Sequence, residues 1–194
     1  MTEFRKIAII GLGLIASSIC LSLRQKDPAI QIVGYDNDKE VRKRAKRIGL
    51  CEIESNIEKA VNDCNLIILC VPVGQMHPVI QKLKNFIEPG TIITDVGSVK
   101  LSVIKELEAH TEDAKGKFVP SHPIAGTEKS GPDAGYAGLF EGRWCILTPT
   151  KKTNKKALKS VEIFWRFLGM QTKIMTPEHH DLVLAVTSHA PHLI

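Results

Sequence analysis

The sequence predicts an α/β protein built on a doubly wound, mainly parallel β-sheet. Short apolar runs rich in β-branched residues alternate with segments of helical period, and this alternation is typical of successive βαβ units. Several runs are apolar along their whole length, and residues 66–71, with the sequence LIILCV, are the clearest case. Strands that helices cover on both faces have this composition. We therefore expect the sheet to lie buried at the centre of the molecule.

The strands and helices can be assigned in order along the chain. Strands are predicted over residues 6–10, 31–35, 66–71, 91–95, 118–120, 145–148 and 172–175. Helices are predicted over residues 14–25, 39–48, 75–86, 101–110 and 154–168. The last of these helices carries an apolar stripe at helical spacing, formed by Ala157, Val161, Phe164, Trp165 and Leu168.

The residues after position 175 predict one more helix. Thr176, Pro177 and Glu178 have the sequence of a helix start, with an N-cap, a proline at the first helical position and an acid in the first turn. The helix is predicted to run to the last residue, where the apolar end 191–194 has no C-cap. We expect residues 1–175 to form one domain and residues 176–194 to be the truncated start of a second, all-helical domain.

Composition narrows the kinds of partner. With 43% hydrophobic and 24% charged residues, the 194-residue chain has the composition of a soluble globular protein. No apolar run approaches the roughly 20 residues of a membrane span, and the N-terminus leads into a strand without a signal peptide. With a net charge of +5 and 5% aromatic residues, the chain has few groups that could bind the phosphates or stack on the bases of a nucleic acid. We expect a cytoplasmic protein with a small-molecule substrate, and neither a membrane nor a nucleic-acid partner.

Neither the cysteines nor the histidines predict a metal site. The five cysteines are scattered and include no C-x-x-C pair, which argues against zinc and against a disulfide framework. His179 and His180 are adjacent in the sequence. Neighbouring residues of a helix point about 100° apart, so this pair would make a poor chelate.

A glycine-rich turn directly after the first strand predicts a dinucleotide site of the Rossmann type. Residues 11–16 read GLGLIA, in which the glycines permit a tight turn and the close approach of a pyrophosphate to the backbone. The helix that follows supplies free N–H groups and the positive end of its dipole. Asp36 ends the second strand, 20 residues after Ala16, where a carboxylate binds the ribose 2′-hydroxyl. A carboxylate there repels the 2′-phosphate of NADP and favours NAD, and the basic residues 42–47 are interpreted as a solvated helix face.

Two loops after strands carry the candidate chemistry. In a doubly wound sheet, ligands bind outside the carboxyl ends of the strands. The loop 95–100 (DVGSVK) contains Ser98, and the loop 121–131 (SHPIAGTEKSG) contains His122. Each presents a potential donor or base near the expected nicotinamide ring. An imidazole has an ordinary pKa near neutrality, which suits a proton acceptor.

Four motifs in this order resemble the prephenate/arogenate (cyclohexadienyl) dehydrogenase family of tyrosine biosynthesis. They are residues 11–15 (GLGLI), 95–100 (DVGSVK), 122–131 (HPIAGTEKSG) and 188–192 (SHAPH), and the resemblance runs from residue 6 to the last residue. It implies the NAD-dependent oxidative decarboxylation of prephenate and/or L-arogenate to 4-hydroxyphenylpyruvate and/or L-tyrosine. A hydride would pass from the ring carbon bearing the 4-hydroxyl to the nicotinamide, while the ring carboxylate leaves as carbon dioxide and the ring becomes aromatic.

The resemblance also implies roles for individual residues. His122 would bind the 4-hydroxyl and accept its proton, and Ser98 would share that hydroxyl or steady His122 and the nicotinamide. Thr127 and Glu128 would shape the far side of the substrate pocket, and His189 would close it. The cofactor would be held by Gly11, Gly13, Leu14, Ile15, Asp36, Val71, Pro72 and Ser98. A homodimer would form through the helical domain that follows the chain.

Two other functions fit part of the pattern. A different NAD-dependent dehydrogenase of the β-hydroxyacid type would use the same glycine turn, but a lysine on the downstream helix would favour it, and the chain has Ser188 and His189 there. A non-catalytic dinucleotide-sensing module would explain the glycine turn and Asp36. It would leave Ser98 and His122 without a purpose.

Overall fold

The computed structural model describes residues 2–113 and 117–185 of the chain. The strands are β1 (Lys6–Ile10), β2 (Gln31–Tyr35), β3 (Glu52–Ile53), β4 (Leu66–Leu69), β5 (Ile92–Asp95), β6 (Lys117–Val119), β7 (Ser121–Pro123), β8 (Trp144–Leu147) and β9 (Gln171–Ile174). The helices are α1 (Leu14–Lys26), α2 (Lys39–Arg47), α3 (Ile57–Val61), α4 (Val73–Leu83), α5 (Lys100–Asp113), α6 (Lys155–Phe167) and α7 (Pro177–Leu184). A single 3-10 turn spans Pro132–Ala134.

The central sheet is parallel and doubly wound, as predicted. Its six strands run in the order β3-β2-β1-β4-β5-β6, and each described pairing within it is parallel. The chain starts at β1, winds outward to β3, and then crosses to β4 on the other side of β1. The strand order therefore reverses between β1 and β4. Ligands of such sheets bind in the crevice at this reversal, beside the carboxyl ends of the strands.

The last three strands form a second sheet, which the sequence did not predict. β7 pairs antiparallel with β8, and β8 pairs parallel with β9. Pro120 separates β6 from β7. Proline has no N–H to continue the ladder, so the chain leaves the first sheet there and pairs with β8 instead. The carbonyl of Pro120 accepts a hydrogen bond from the N–H of Thr148 at 3.1 Å, just beyond the end of β8.

Alternate residues of the inner strands point into two apolar layers, one on each face of the central sheet. On β1, Ile7 and Ile9 join the layer formed with α1 and α6, whereas Ala8 and Ile10 join the layer formed with α4 and α5. These strand residues are fully or almost fully buried. The burial explains why the inner strands are apolar along their whole length.

The predicted starts of α6 and α7 are confirmed. The side chain of Asn154 accepts hydrogen bonds from the N–H groups of Lys156 and Ala157, both at 3.0 Å, and α6 buries the predicted apolar stripe. The hydroxyl of Thr176 accepts from the N–H of His179 at 3.2 Å and caps α7. The remainder of the helix predicted to reach residue 194 lies outside the described residues.

Short elements were not predicted. β3 has two residues, α3 has five and β7 has three, and none of them is long enough to show a periodic pattern of apolar residues. The boundaries of α4 also differ, because Pro72 caps the helix and it begins at Val73, two residues before the predicted start. Across the residues that the structure describes, no helix has the length and apolarity needed to cross a membrane.

The loop around the 3-10 turn packs tightly on α1. The hydroxyl of Ser22 donates to the carbonyl of Ala137 at 2.6 Å, and the N–H of Tyr136 donates to the hydroxyl of Ser18 at 3.2 Å. A methyl group at Gly135 would lie 2.4 Å from Cβ of Ser17 and 2.8 Å from the amide nitrogen of Ser18. Only glycine allows the loop to approach the helix backbone this closely.

We expect Gly135→Ala to lower the free energy of unfolding by about 1–3 kcal/mol, the usual cost of overpacking, because the loop must move away from α1. Gly138→Ala is the matched control, since the nearest atom to its new methyl group would be 3.9 Å away. It should change the free energy of unfolding by less than about 0.5 kcal/mol. Urea denaturation of the chain measures both. Equal effects would contradict the close packing described for Gly135.

Candidate active site

A cavity of about 760 Å³ opens at the reversal of strand order. It extends from the end of β2 across β1 and β4 to the loop after β5 and to β7. Most residues predicted to bind the cofactor or the reacting groups line it. They are Gly11, Gly13, Ile15, Asp36, Val71, Pro72, Ser98 and His122.

The glycine turn between β1 and α1 forms one wall of the cavity. Gly11 has φ +94°, and a methyl group there would lie 2.7 Å from the carbonyl oxygen of Cys70, which directly follows β4. Gly13 caps α1 without a side-chain hydrogen bond, and no atom lies within 4 Å of the place where its Cβ would be. The first turn of α1 contains no acidic residue. This end of the cavity therefore suits a phosphate group, for which backbone N–H groups and the helix dipole supply the attraction.

Asp36 connects the glycine turn to the end of β2. Its carboxylate accepts hydrogen bonds from the N–H of Leu12 at 2.8 Å and from the N–H of Asp38 at 2.9 Å. An ionised carboxylate offers about four acceptor positions, so both oxygens can accept further hydrogen bonds from ribose hydroxyls. Asp36 thus shapes the turn and still presents its charge to the cavity.

The basic residues of α2 are only in part a solvated face, which corrects the interpretation from the sequence. Arg42 donates to the carbonyl groups of Asp36 and Asn37, and its guanidinium lies 5.7 Å from the centre of the Tyr35 ring. Arg44 forms an ion pair with Asp133. The helical turn between Asp36 and Arg42 brings the side chain back to the end of β2, which distance along the sequence did not reveal.

A buried ion pair organises the other end of the cavity. Asp95, at the end of β5, pairs with the ammonium of Lys100, and both side chains have no solvent exposure. The carboxylate also accepts from the N–H of Gly97 at 2.8 Å and from the N–H of Ser121 at 3.2 Å. The ammonium donates to the carbonyl of Ser121 at 2.7 Å. These contacts fix the loop that bears Ser98 against the strand that bears His122.

The hydroxyl of Ser121 holds β7 in place from three sides. It lies 2.6 Å from the carbonyl oxygen of Asp95 and 2.8 Å from the hydroxyl of Thr94. The indole N–H of Trp165 on α6 donates to it at 3.1 Å. All four residues are buried. Because β7 is a strand and its residues alternate in direction, Ser121 faces the core and His122 faces the cavity.

The pKa of His122 is lowered to about 3. Burial of the imidazole is the largest cause, and the ammonium of Lys100 and the nearby ring of His180 act in the same direction, whereas Asp181 opposes them. The ring is therefore neutral at physiological pH, the state in which an imidazole accepts a proton. Burial and the buried ammonium move the pKa well below the ordinary value near neutrality.

A second histidine, His180, for which the sequence predicted no role beyond a poor metal chelate with His179, contacts His122. Nε2 of His180 lies 2.9 Å from Nδ1 of His122, and the two rings meet edge to face with their centres 5.2 Å apart. Asp181 then accepts from His180 and from the backbone N–H groups of Lys100 and Leu101. The sequence signal for this contact was weak because His122 and His180 lie 58 positions apart.

A smaller cavity of about 320 Å³ lies beside the first one, and Ser98 and His122 line both. Arg143, which precedes β8, and Leu184 of α7 also line it. This cavity combines an apolar wall with a cation. No pattern in the sequence had singled out Arg143.

Three of the residues assigned from the sequence, Leu14, Thr127 and Glu128, line neither cavity. Leu14 begins α1 and packs against the apolar layer on the α1 and α6 side. Thr127 and Glu128 are exposed, and the hydroxyl of Thr127 accepts from the N–H of Lys129 at 3.2 Å. His189 lies outside the described residues. Among residues 2–113 and 117–185, no group of three or more histidine, cysteine or acidic side chains could hold a metal ion.

Together, the strand order, the glycine turn and the cavity define a nucleotide-binding domain of the Rossmann type. Residues 19–174 match the family model described as "Prephenate dehydrogenase, nucleotide-binding domain". The chain belongs to the prephenate/arogenate/cyclohexadienyl dehydrogenase family, and it carries the NAD-binding domain of that family.

Relatives with assigned activities span the whole chain. A cyclohexadienyl dehydrogenase of Zymomonas mobilis is 43% identical over 195 residues, which cover 100% of this chain and 66% of the relative. A prephenate dehydrogenase of Bacillus subtilis is 34% identical, with 97% of this chain and 51% of the relative covered. The chain thus spans between about half and two thirds of the length of these relatives.

Solved structures give the same result. The prephenate dehydrogenase of Aquifex aeolicus, in complex with hydroxyphenyl propionate and NAD+, superposes with a TM-score of 0.89 at 38% identity, covering 97% of this chain and 66% of that protein. The arogenate dehydrogenase of Synechocystis superposes with a TM-score of 0.86 at 29% identity, covering 97% of this chain and 66% of that protein. A 3-hydroxyisobutyrate dehydrogenase of Mycobacterium tuberculosis reaches a TM-score of 0.74 at 12% identity, which shows a shared fold alone.

We expect Lys100→Met to lower the free energy of unfolding of the chain by about 3–5 kcal/mol, because Asp95 would then be a buried carboxylate without its cation. Lys43→Met is the matched control. It removes an ion pair with Glu40 in which both side chains are more than half exposed, so it should cost less than about 1 kcal/mol. Urea denaturation measures both variants. A loss of less than about 1 kcal/mol for Lys100→Met would contradict the central role of the buried pair.

Proposed function

We propose that this chain is the cofactor-binding and proton-accepting part of an enzyme that oxidatively decarboxylates prephenate and/or L-arogenate with NAD. The observation that carries the proposal is the position of His122. Its neutral imidazole lines a cavity shared with the glycine turn and a second cavity that contains Arg143. The structure of the Aquifex aeolicus relative with NAD+ and hydroxyphenyl propionate supports the same pairing of cofactor and ring compound.

The residues of the larger cavity fit a dinucleotide. The pyrophosphate would lie in the free space at Gly13, beside the start of α1, where no side chain caps the helix. Asp36 would bind the adenosine ribose. Val71 and Pro72 would pass beneath the middle of the cofactor, and Ser98 would lie at its nicotinamide end. When bound, NAD accepts the hydride that leaves the ring carbon bearing the 4-hydroxyl.

His122 would accept the 4-hydroxyl proton as the hydride leaves, so that the ring carbon becomes a carbonyl carbon. Loss of the ring carboxylate as carbon dioxide then makes the ring aromatic and leaves its oxygen as a phenolate. A phenol has a pKa near 10, so the phenolate takes the proton back from the imidazolium. No proton is gained or lost overall. Aromatisation drives the step, and the protein needs chiefly to orient the reactants and to hold this proton.

The smaller cavity would bind the substrate. Both proposed substrates are anions, and the guanidinium of Arg143 supplies an opposite charge at the wall of this cavity. Ser98 would donate to, or accept from, the 4-hydroxyl beside His122. Ser98 and His122 line both cavities, so a substrate in the smaller cavity would meet the nicotinamide end of the cofactor beside these two side chains.

We expect Asp36→Ser to lower the ratio of NAD to NADP affinity at least about tenfold, equivalent to 1.4 kcal/mol, since it removes the charge that repels a 2′-phosphate. Asp27→Ser is the control, because Asp27 follows the opposite end of α1. Titration of the chain with both dinucleotides gives the ratio, which a general loss of affinity would not change. Equal affinity of the unmodified chain for NAD and NADP would refute the preference.

We expect His122→Asn to lower kcat by roughly 10²–10⁴, the usual contribution of a general base. His179→Asn removes an exposed histidine from α7 and should leave kcat unchanged. The assay is the formation of NADH at 340 nm with prephenate and with arogenate, in the full-length protein. Flat traces with both substrates, or full activity of His122→Asn, would overturn the proposed function.

A further inference from the structure

Three side chains form a hydrogen-bonded row that ends at the proposed base. Oδ1 of Asp181 lies 2.7 Å from Nδ1 of His180, and Nε2 of His180 lies 2.9 Å from Nδ1 of His122. His180 is fully buried between its two partners. Both ring nitrogens of His180 and Nδ1 of His122 have one partner each within the row, so the proton position on each ring depends on its neighbour.

The row begins at a group that can only accept. The carboxylate of Asp181 receives the backbone N–H groups of Lys100 at 2.8 Å and of Leu101 at 3.0 Å, which help to lower its pKa. Asp181 is therefore ionised at neutral pH and has no proton to donate. Nδ1 of His180 must carry the proton in the hydrogen bond between them.

His180 passes this constraint on to His122. Burial lowers the pKa of His180, and the ammonium of Lys100 acts in the same direction against the opposing effect of Asp181 and Asp95. The ring is neutral and carries one proton, which lies on Nδ1, so its Nε2 is an acceptor. Nδ1 of His122 must then donate. Because His122 is also neutral, its own Nε2 keeps a lone pair.

We propose that Asp181 and His180 are positioning residues that set the tautomer of His122, with the proton on Nδ1 and the lone pair on Nε2. Nε2 is the nitrogen left for the cavities that His122 lines. The opposite tautomer would present an N–H there and could not accept a proton. The catalytic consequence rests on the proposed function, whereas the tautomer itself follows from the hydrogen bonds of the row and the neutrality of both rings.

The row resembles the carboxylate–imidazole pair of serine hydrolases with one imidazole inserted. In those enzymes the carboxylate holds the histidine in the correct tautomer, and its replacement by an amide lowers kcat by about 10⁴ although the geometry survives. Here the two oxygens of Asp181 also hold the start of α5, so the carboxylate has a fixed position. This fixed carboxylate defines the direction of every hydrogen bond toward His122.

The tautomer can be measured on the chain without cofactor or substrate. We expect long-range ¹H–¹⁵N NMR spectra of the histidine-labelled chain at neutral pH to show, for both His122 and His180, a protonated Nδ1 and an unprotonated Nε2. His122→Asn and His180→Gln assign the signals. A protonated Nε2 on His122, or a doubly protonated ring on either residue, would overturn the proposal.

Two variants of His180 separate positioning from simple packing. His180→Gln keeps an amide oxygen that can accept from Nδ1 of His122, and His180→Leu removes the acceptor. In the full-length protein we expect His180→Leu to lower kcat by roughly 10²–10³, a range within that of general base catalysis. His180→Gln should keep most of the kcat of the unmodified protein. KM for NAD should be unchanged in both variants. Equal losses of kcat in the two variants, or none in either, would overturn the proposal. The predicted tautomer without turnover of prephenate or arogenate would instead refute only the proposed function.

Discussion

The buried ion pair between Asp95 and Lys100 is the contact on which the site depends. Two charges without solvent exposure can persist only if each is fully paired, because an isolated charge in the interior is strongly destabilising. Asp95 satisfies its remaining acceptor positions with Gly97 and Ser121, and Lys100 satisfies a donor with the carbonyl of Ser121. The loop with Ser98, the start of α5 and the strand with His122 are therefore held together by the need to neutralise buried charge.

Burial is the largest cause of the lowered pKa of the proposed base, and the same ion pair adds to it. The ammonium of Lys100 lowers the pKa of both His122 and His180, in addition to the effect of burial. Asp181 acts in the opposite direction on both rings. The result is a pair of neutral imidazoles beside an internally compensated ion pair. The cation of Arg143 in the smaller cavity is then left to attract the anionic substrate that we propose.

The sequence predicted the parts of the molecule whose signals are local. The glycine turn, the position of Asp36 and the apolar strands are each defined within a short stretch, and the central sheet was correctly predicted from them. The second sheet was missed because β7 has three residues and its partner β8 follows more than twenty positions later. The contact of His122 with His180 joins β7 to α7 across 58 positions of the sequence, and no local pattern near either residue predicts it. Asp95 and Lys100 stood in a recognised motif, but their pairing became evident only when both proved to be buried.

Lys100 is held at both ends, by Asp95 at its ammonium and by Asp181 at its backbone N–H. Through these contacts α7 is joined to the end of β5, although the sequence placed α7 in a different domain from residue 176 onward. Opening α7 alone would leave the backbone N–H groups of Lys100 and Leu101 and Nδ1 of His122 without their partners, which opposes local opening. The domain boundary predicted from the sequence therefore differs from the boundary of the cooperatively unfolding unit. We expect the amide hydrogens of α7 to exchange together with those of the nucleotide-binding sheet and not with those of the residues after α7.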